Sequence, residues 1–176
     1  GMASLTYGQW VMSWESNYFD AILTKNIPAK TYIKANYFIL IAFNVISFLL
    51  STPYFLMGTK FAFLHIAMFL FNTGVNVFLL IFTATFNTKR IDLMARSMFN
   101  YQGTTYKSFL IILPIMFFPM LLTAILGNFL SFNVILLIIG LIGLAGIFLI
   151  PYQIKLSTRQ FVRRKYAMAE GFRENE

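Results

Sequence analysis

Charged residues are missing from three long stretches of the chain: 35–59, 61–88 and 108–154 carry no Asp, Glu, Lys or Arg. About 20 apolar residues cover the hydrocarbon core as a helix, so each of the first two stretches supplies one span. The third, at about 1.5 Å per residue, is far too long for a single crossing. Near its middle it carries turn-prone Gly127, Asn128, Ser131 and Asn133, so it reads as a helical hairpin. The pattern therefore predicts an all-α integral membrane protein with four transmembrane helices at about 32–57, 61–86, 108–126 and 134–153.

Before the first span, Trp10, Trp14, Tyr18 and Ile22 recur every four residues, while Ser13, Ser16, Asn17 and Asp20 fall largely elsewhere around a helix. The spacing predicts an amphipathic helix at the membrane interface. Pro28 disfavours helical geometry just before it, so the chain should break near Asn26 and restart around Ala29 to Tyr32. Residues 1–30 form this helix and elbow, 31–156 the four-helix domain, and 157–176 a basic tail that continues the last span as a helix. Gly58, Thr59 and Lys60 leave so short a turn that the first two spans must be antiparallel neighbours. Pro114 and Pro119 predict kinks in the third span, and Met94 to Phe99 a short surface helix in the loop before it.

Charge sets the orientation. With four spans, thirteen of the fourteen Lys and Arg residues, all but Lys60, lie on one side. Short loops rich in Lys and Arg stay in the cytoplasm, so both termini are expected there, in a bacterial inner membrane. Hydrophobic residues make up 59% of the 176, more than a soluble domain of this size could hide from water. The net charge of +8 does not indicate nucleic acid, because the cations flank spans and the anionic leaflet already accounts for them. Without cysteine there is no disulfide, thiolate metal site or thiol nucleophile.

Catalytic chemistry is not indicated. All six carboxylates (Glu15, Asp20, Asp92, Glu170, Glu174, Glu176) fall outside the expected spans, and His65 has no recognisable partner. No phosphate-cradling GxxxxGK[ST] loop is present, so ATP-driven work would need a separate ATPase subunit. No metal or cofactor set is apparent, and the chain is not expected to be an enzyme.

Four intramembrane polar residues remain. His65, one turn into the second span, is either an interfacial polar residue or a substrate or proton contact. Asn72 and Asn76 lie one turn apart, so that face should point at another helix, with Asn44 of the first span a candidate partner. They serve as interhelical glue or as contacts along a translocation path. Gly140, Gly143 and Gly146 give the last span a smooth stripe, for close packing or a lipid or substrate groove.

The stretch Ser13 to Asn36, SWESNYFDAILTKNIPAKTYIKAN, resembles the segment of type-2 ATP-binding-cassette permeases that carries the cytoplasmic coupling helix. Glu15 matches the acidic position, Ile22 and Leu23 the Leu pair, Pro28 the proline, and Lys34 the basic residue leading into the next span. Ser16 and Asn17 replace the usual Gly-Thr. Together with TFNTKRIDL (Thr85 to Leu93) and RKYAMAEGFRE (Arg164 to Glu174), the elbow is similar to the carboxy-terminal part of an uncharacterised bacterial membrane family related to these permeases. In type-2 permeases two spans usually precede the coupling helix and four follow it. The resemblance therefore implies a fragment or shortened member, paired with a missing amino-terminal membrane half or with a second copy as a homodimer.

The expected function is that of a permease module in an ATP-driven exporter. Trp14, Glu15, Phe19, Asp20, Leu23 and Pro28 would form the docking segment for a separate P-loop ATPase, with Phe19 and Leu23 as apolar knobs. A non-catalytic membrane scaffold is the alternative. A lipid-acting enzyme is the remote third, because His65 lies on the opposite side from the acids.

Overall fold

The computed structural model describes residues 4, 7–8, 10–25, 27–91 and 117–174. Among them every regular element is helical. The expected surface helix at Met94 to Phe99, Pro114 and the first part of the third span lie outside the described residues.

The amino-terminal segment departs from the expected continuous amphipathic helix. Ser4, Tyr7 and Gly8 are helical, but residues 10–15 form tight turns, Ser16–Tyr18 a 3₁₀ turn, and α-helix resumes at Phe19–Thr24 (α1). Most of its backbone bonds span three residues, as in Ser13 to Trp10 (2.8 Å), Ser16 to Ser13 (3.2 Å) and Tyr18 to Glu15 (3.0 Å). Ser and Asn compete for backbone groups locally and favour turns over helix interiors, and that preference overrode the four-residue repeat. Val11, Met12 and Phe19 are buried there, while Tyr18 of the aromatic stripe is 68% exposed.

Lys25 is extended, Pro28 caps the next helix with φ −58° and ψ 129°, and α2 runs Ala29–Leu50. A 3₁₀ segment, Thr52–Met57, carries Pro53 in its first turn and is capped by Gly58, whose φ of 121° no β-carbon tolerates easily. That turn reverses the chain into α3, Thr59–Ala84, which contains a π turn at Asn72–Asn76. After the undescribed stretch come α4, Phe117–Leu126, a turn at 127–131, α5, Phe132–Phe148, and α6, Ile150–Glu174.

Helices α2 and α3 are each long and apolar enough to cross a membrane, and α5 with α6 make a third candidate span broken by a 67° bend. These lengths and compositions mark the chain as a membrane protein with two or three candidate spans among the described residues. The last expected span, 134–153, therefore differs from a straight rod: it breaks at Leu149, and the basic tail continues from the far side of the bend.

Two packed regions follow. Phe71 of α3 gathers Ile135 and Ile139 of α5, with Leu122 and Leu126 of α4 against them and Phe118 stacked on its ring at 5.8 Å. At the other end α6 lies against α2 and the last part of α3, and the amino-terminal segment closes over it through Phe19, Phe161 and Phe172.

Candidate functional site

Two matching helical faces meet between α2 and α3. Asn44, Ser47 and Phe48 of α2 with Ser51 at its C-cap, and His65, Met68, Phe69 and Asn72 of α3, each follow the i, i+3, i+4, i+7 rule, and together they line a cavity of about 160 Å³. Phe48 stacks on the His65 ring at 4.9 Å, and Phe55 meets it edge-on at 5.6 Å. Ser51 Oγ donates to the Ser47 carbonyl, which leaves its lone pairs free to accept from His65 Nε2 at 2.9 Å. That nitrogen also lies 3.3 Å from the Phe48 carbonyl. The Phe48 carbonyl can only accept, so the geometry assigns a ring proton to Nε2.

Deeper in, Asn76 Nδ2 donates to Asn72 Oδ1 at 2.6 Å, so the two amides act as one pair. Asn44 is 3% exposed, and its Oδ1 has no hydrogen-bond partner; the buried Asn76 Oδ1 and Thr73 Oγ1 have none either. The cavity thus offers hydroxyl, amide and imidazole groups and no carboxylate, a lining suited to an uncharged hydrogen-bonding solute or to water. Among the described residues no group of three His, Asp or Glu could hold a metal.

Directly behind Asn72, α3 meets α5 and α6. Gly143 lies on the backbone of Leu70 and Phe71, and Gly74 and Gly146 lie on one another so closely that a β-carbon on any of these three glycines would overlap main-chain atoms. Gly140 differs from the expected uniform stripe: a β-carbon there would meet Ala67 at 3.7 Å and the end of Leu70 at 3.9 Å, both ordinary contacts. Gln153, 7% exposed, donates from Nε2 to the carbonyls of Gly74 (2.8 Å) and Gly146 (3.0 Å). A side chain inserted into the helical ladder is a recognised cause of a kink, and here it sits where α3 adopts its π turn.

The docking residues expected on the amino-terminal segment mostly face the chain itself. Phe19, expected as an exposed knob, is 1% exposed and meets Phe161 and Phe172 edge-on at 6.1 and 5.1 Å. Asp20 is held by both Arg173 Nε (2.9 Å) and Nη2 (2.7 Å), and that hydrogen-bonded pairing keeps its carboxyl below the usual range. Leu23 is half-buried, in a groove it shares with Tyr166 and Ala169 of α6. Glu15 accepts the Tyr32 hydroxyl at 2.5 Å; burial pushes its pKa up, and the hydrogen bond only partly offsets this. Trp14 stacks on Tyr7, and its indole nitrogen is buried without a partner. Pro28 stays exposed at the elbow. The outward side of this segment is instead Tyr18, Ala21, Thr24 and Lys25.

Sequence reasoning missed Ser47, Ser51 and Gln153. The two serines share a helical face with Asn44, a spacing visible in the sequence. Gln153 itself had no such signal, because its role depends on the bend at Leu149, whose own marker is Pro151 in the first turn of α6.

No curated protein and no solved structure matches the chain. Residues 1–175 match a family of unknown function (DUF5687), and the chain belongs to that family.

Proposed function

We propose that the chain is the membrane permease module of an ATP-driven exporter in a bacterial inner membrane, with both termini in the cytoplasm and a separate P-loop ATPase as its motor. The observation that carries this reading is an unbroken run of contacts from the amino-terminal segment to the polar cavity. Phe19 and Asp20 grip the far end of α6, α6 bends by 67° against α5, and Gln153 at that bend holds the α3 turn that begins at Asn72. Asn72 lines the cavity. A load applied to α1 is therefore delivered through α6 to the α2–α3 seam, which is the two-state element such coupling requires.

Because Phe19 and Asp20 are engaged within the chain, the ATPase docks on the outward side, at Tyr18, Ala21 and Lys25. The test is purification from native membranes in mild detergent with an assay of vanadate-sensitive ATP hydrolysis in the eluate. The reading expects hydrolysis that co-purifies with the wild type and is lost in Tyr18→Asp/Ala21→Asp. Wild-type complexes devoid of ATPase activity would overturn it in favour of the scaffold reading, which the self-contained packing of Phe19 also favours.

A further inference from the structure

A second groove opens nearer the start of α2, against the first turns of α6, with a volume of about 340 Å³. Its floor is apolar: Phe38 and Ile41 of α2 face Ile150, Pro151 and Ile154 of α6. Tyr37, Lys30 and Lys34 complete the lining, the two lysines lying two turns and one turn before Phe38 on the same helical face. No carboxylate belongs to it. From Lys30 to Ile41 is eleven residues of helix, roughly 16 Å, about half the thickness of a bilayer's hydrocarbon core. The groove therefore begins at the lysine-bearing end of a candidate span and runs to the depth at which one leaflet ends.

We propose that this groove binds one anionic phospholipid of the leaflet at the basic end. Its phosphate sits between the Lys30 and Lys34 ammonium groups and an acyl chain lies over Ile41, Pro151 and Ile154. Charge complementarity selects the occupant: two ammonium groups with no acid between them fit a net-negative headgroup and gain little from a zwitterionic one. Lys34 Nζ stands 5.6 Å from the Phe38 ring, which holds the ammonium over the junction of headgroup and chain. The bend between α5 and α6 creates the site, since a straight continuation of α5 would not bring Ile150 and Ile154 beside Ile41. The proposal depends on the membrane reading and not on coupling to an ATPase.

The test is native mass spectrometry of the purified chain in detergent, titrated with palmitoyl-oleoyl phosphatidylglycerol, with phosphatidylcholine of the same chains, and with inorganic phosphate. One phosphatidylglycerol should be retained at least tenfold more tightly than phosphatidylcholine. Each of Lys30→Gln and Lys34→Gln should weaken it about fivefold, and the pair about thirtyfold, at about the contribution of one Lys near an anionic surface. Lys60→Gln, at the other end of the spans, should leave it unchanged. Because both lysines are exposed, their variants keep the fold, and Ile41→Trp, which fills the groove, should lower retention of both lipids. Equal retention of the two lipids, indifference to Lys30→Gln/Lys34→Gln, or displacement by equimolar inorganic phosphate would each overturn the proposal.

Discussion

Gln153 lies within hydrogen-bonding reach of Gly74 although 79 residues separate them, its Nε2 standing 2.8 Å from the Gly74 carbonyl oxygen. A second bond runs from the same nitrogen to Gly146 at 3.0 Å, so one side chain fastens α3, α5 and α6 where α6 bends away. Lipid gives no hydrophobic drive for helices to associate, so contacts of this kind, with tight packing, set the arrangement.

Replacing Gln153 with Leu keeps the volume and removes both bonds. We expect a loss of about 1–2 kcal/mol, the upper range for side-chain bonds between membrane helices. Reversible unfolding in mixed micelles measures it. Unchanged stability would show that the bonds contribute nothing at this junction.

The glycines separate sharply. Gly143→Ala drives a methyl group into the backbone of Leu70 and Phe71, whereas Gly140→Ala adds one at ordinary contact distance from Ala67. The first should cost about 1–3 kcal/mol by forcing α3 and α5 apart, and the second should be close to neutral. Folded yield and thermal midpoint in detergent read both, and equal effects would contradict the packing described.

Phe19→Ala removes the ring held between Phe161 and Phe172. A buried Phe reduced to Ala costs about 3–5 kcal/mol, here concentrated on the attachment of α1 to α6. Trypsin should then cut faster after Lys25, which is exposed at the end of α1, while the spans stay protected. Wild-type cleavage rates would mean that α1 does not depend on this contact.

Two carboxylates give opposite pH dependences. Burial raises the Glu15 pKa, so its contribution to stability is full at low pH and is lost as pH rises from the ordinary value of 4.5 through the raised one. Asp20, held by Arg173, contributes above the ordinary 3.8 and loses that contribution as pH falls through its lowered value. Glu15→Gln should therefore remove a decline in thermal midpoint that sets in as pH rises above 4.5, while its amide oxygen still accepts from Tyr32. An unaltered pH profile would contradict the burial of Glu15.

Much of this architecture is written in apolar run lengths. Uncharged stretches 35–59 and 61–88 overlap α2 and α3 closely because helix length and lipid thickness are tied, and Pro28 and Gly58 mark their starts. The break at Leu149 has a local signal in Pro151, which removes a backbone donor at the start of α6, but the expected single span 134–153 passed over it; the direction of the bend follows from α6 packing on α2 and α3 while Gly143 and Gly146 hold α5 in place. The aromatic repeat from Trp10 to Ile22 misled for the opposite reason: a regular period was present, but the serines and Asn17 made turns, and Phe19, off that stripe, took the buried position. Three of the eight residues lining the cavity, Asn44, His65 and Asn72, were visible; Ser47 and Ser51 became significant only once α3 was placed opposite them.

The attachment of α1 to α6 within one chain is the contact through which the whole account runs, and the absence of cysteine makes it directly measurable. Asp20→Cys/Arg173→Cys, treated with a short bis-maleimide in native membranes, should give a cross-linked product that migrates as a monomer, because these side chains meet at 2.7 Å. No cross-link, or a cross-link only between two chains, would contradict it.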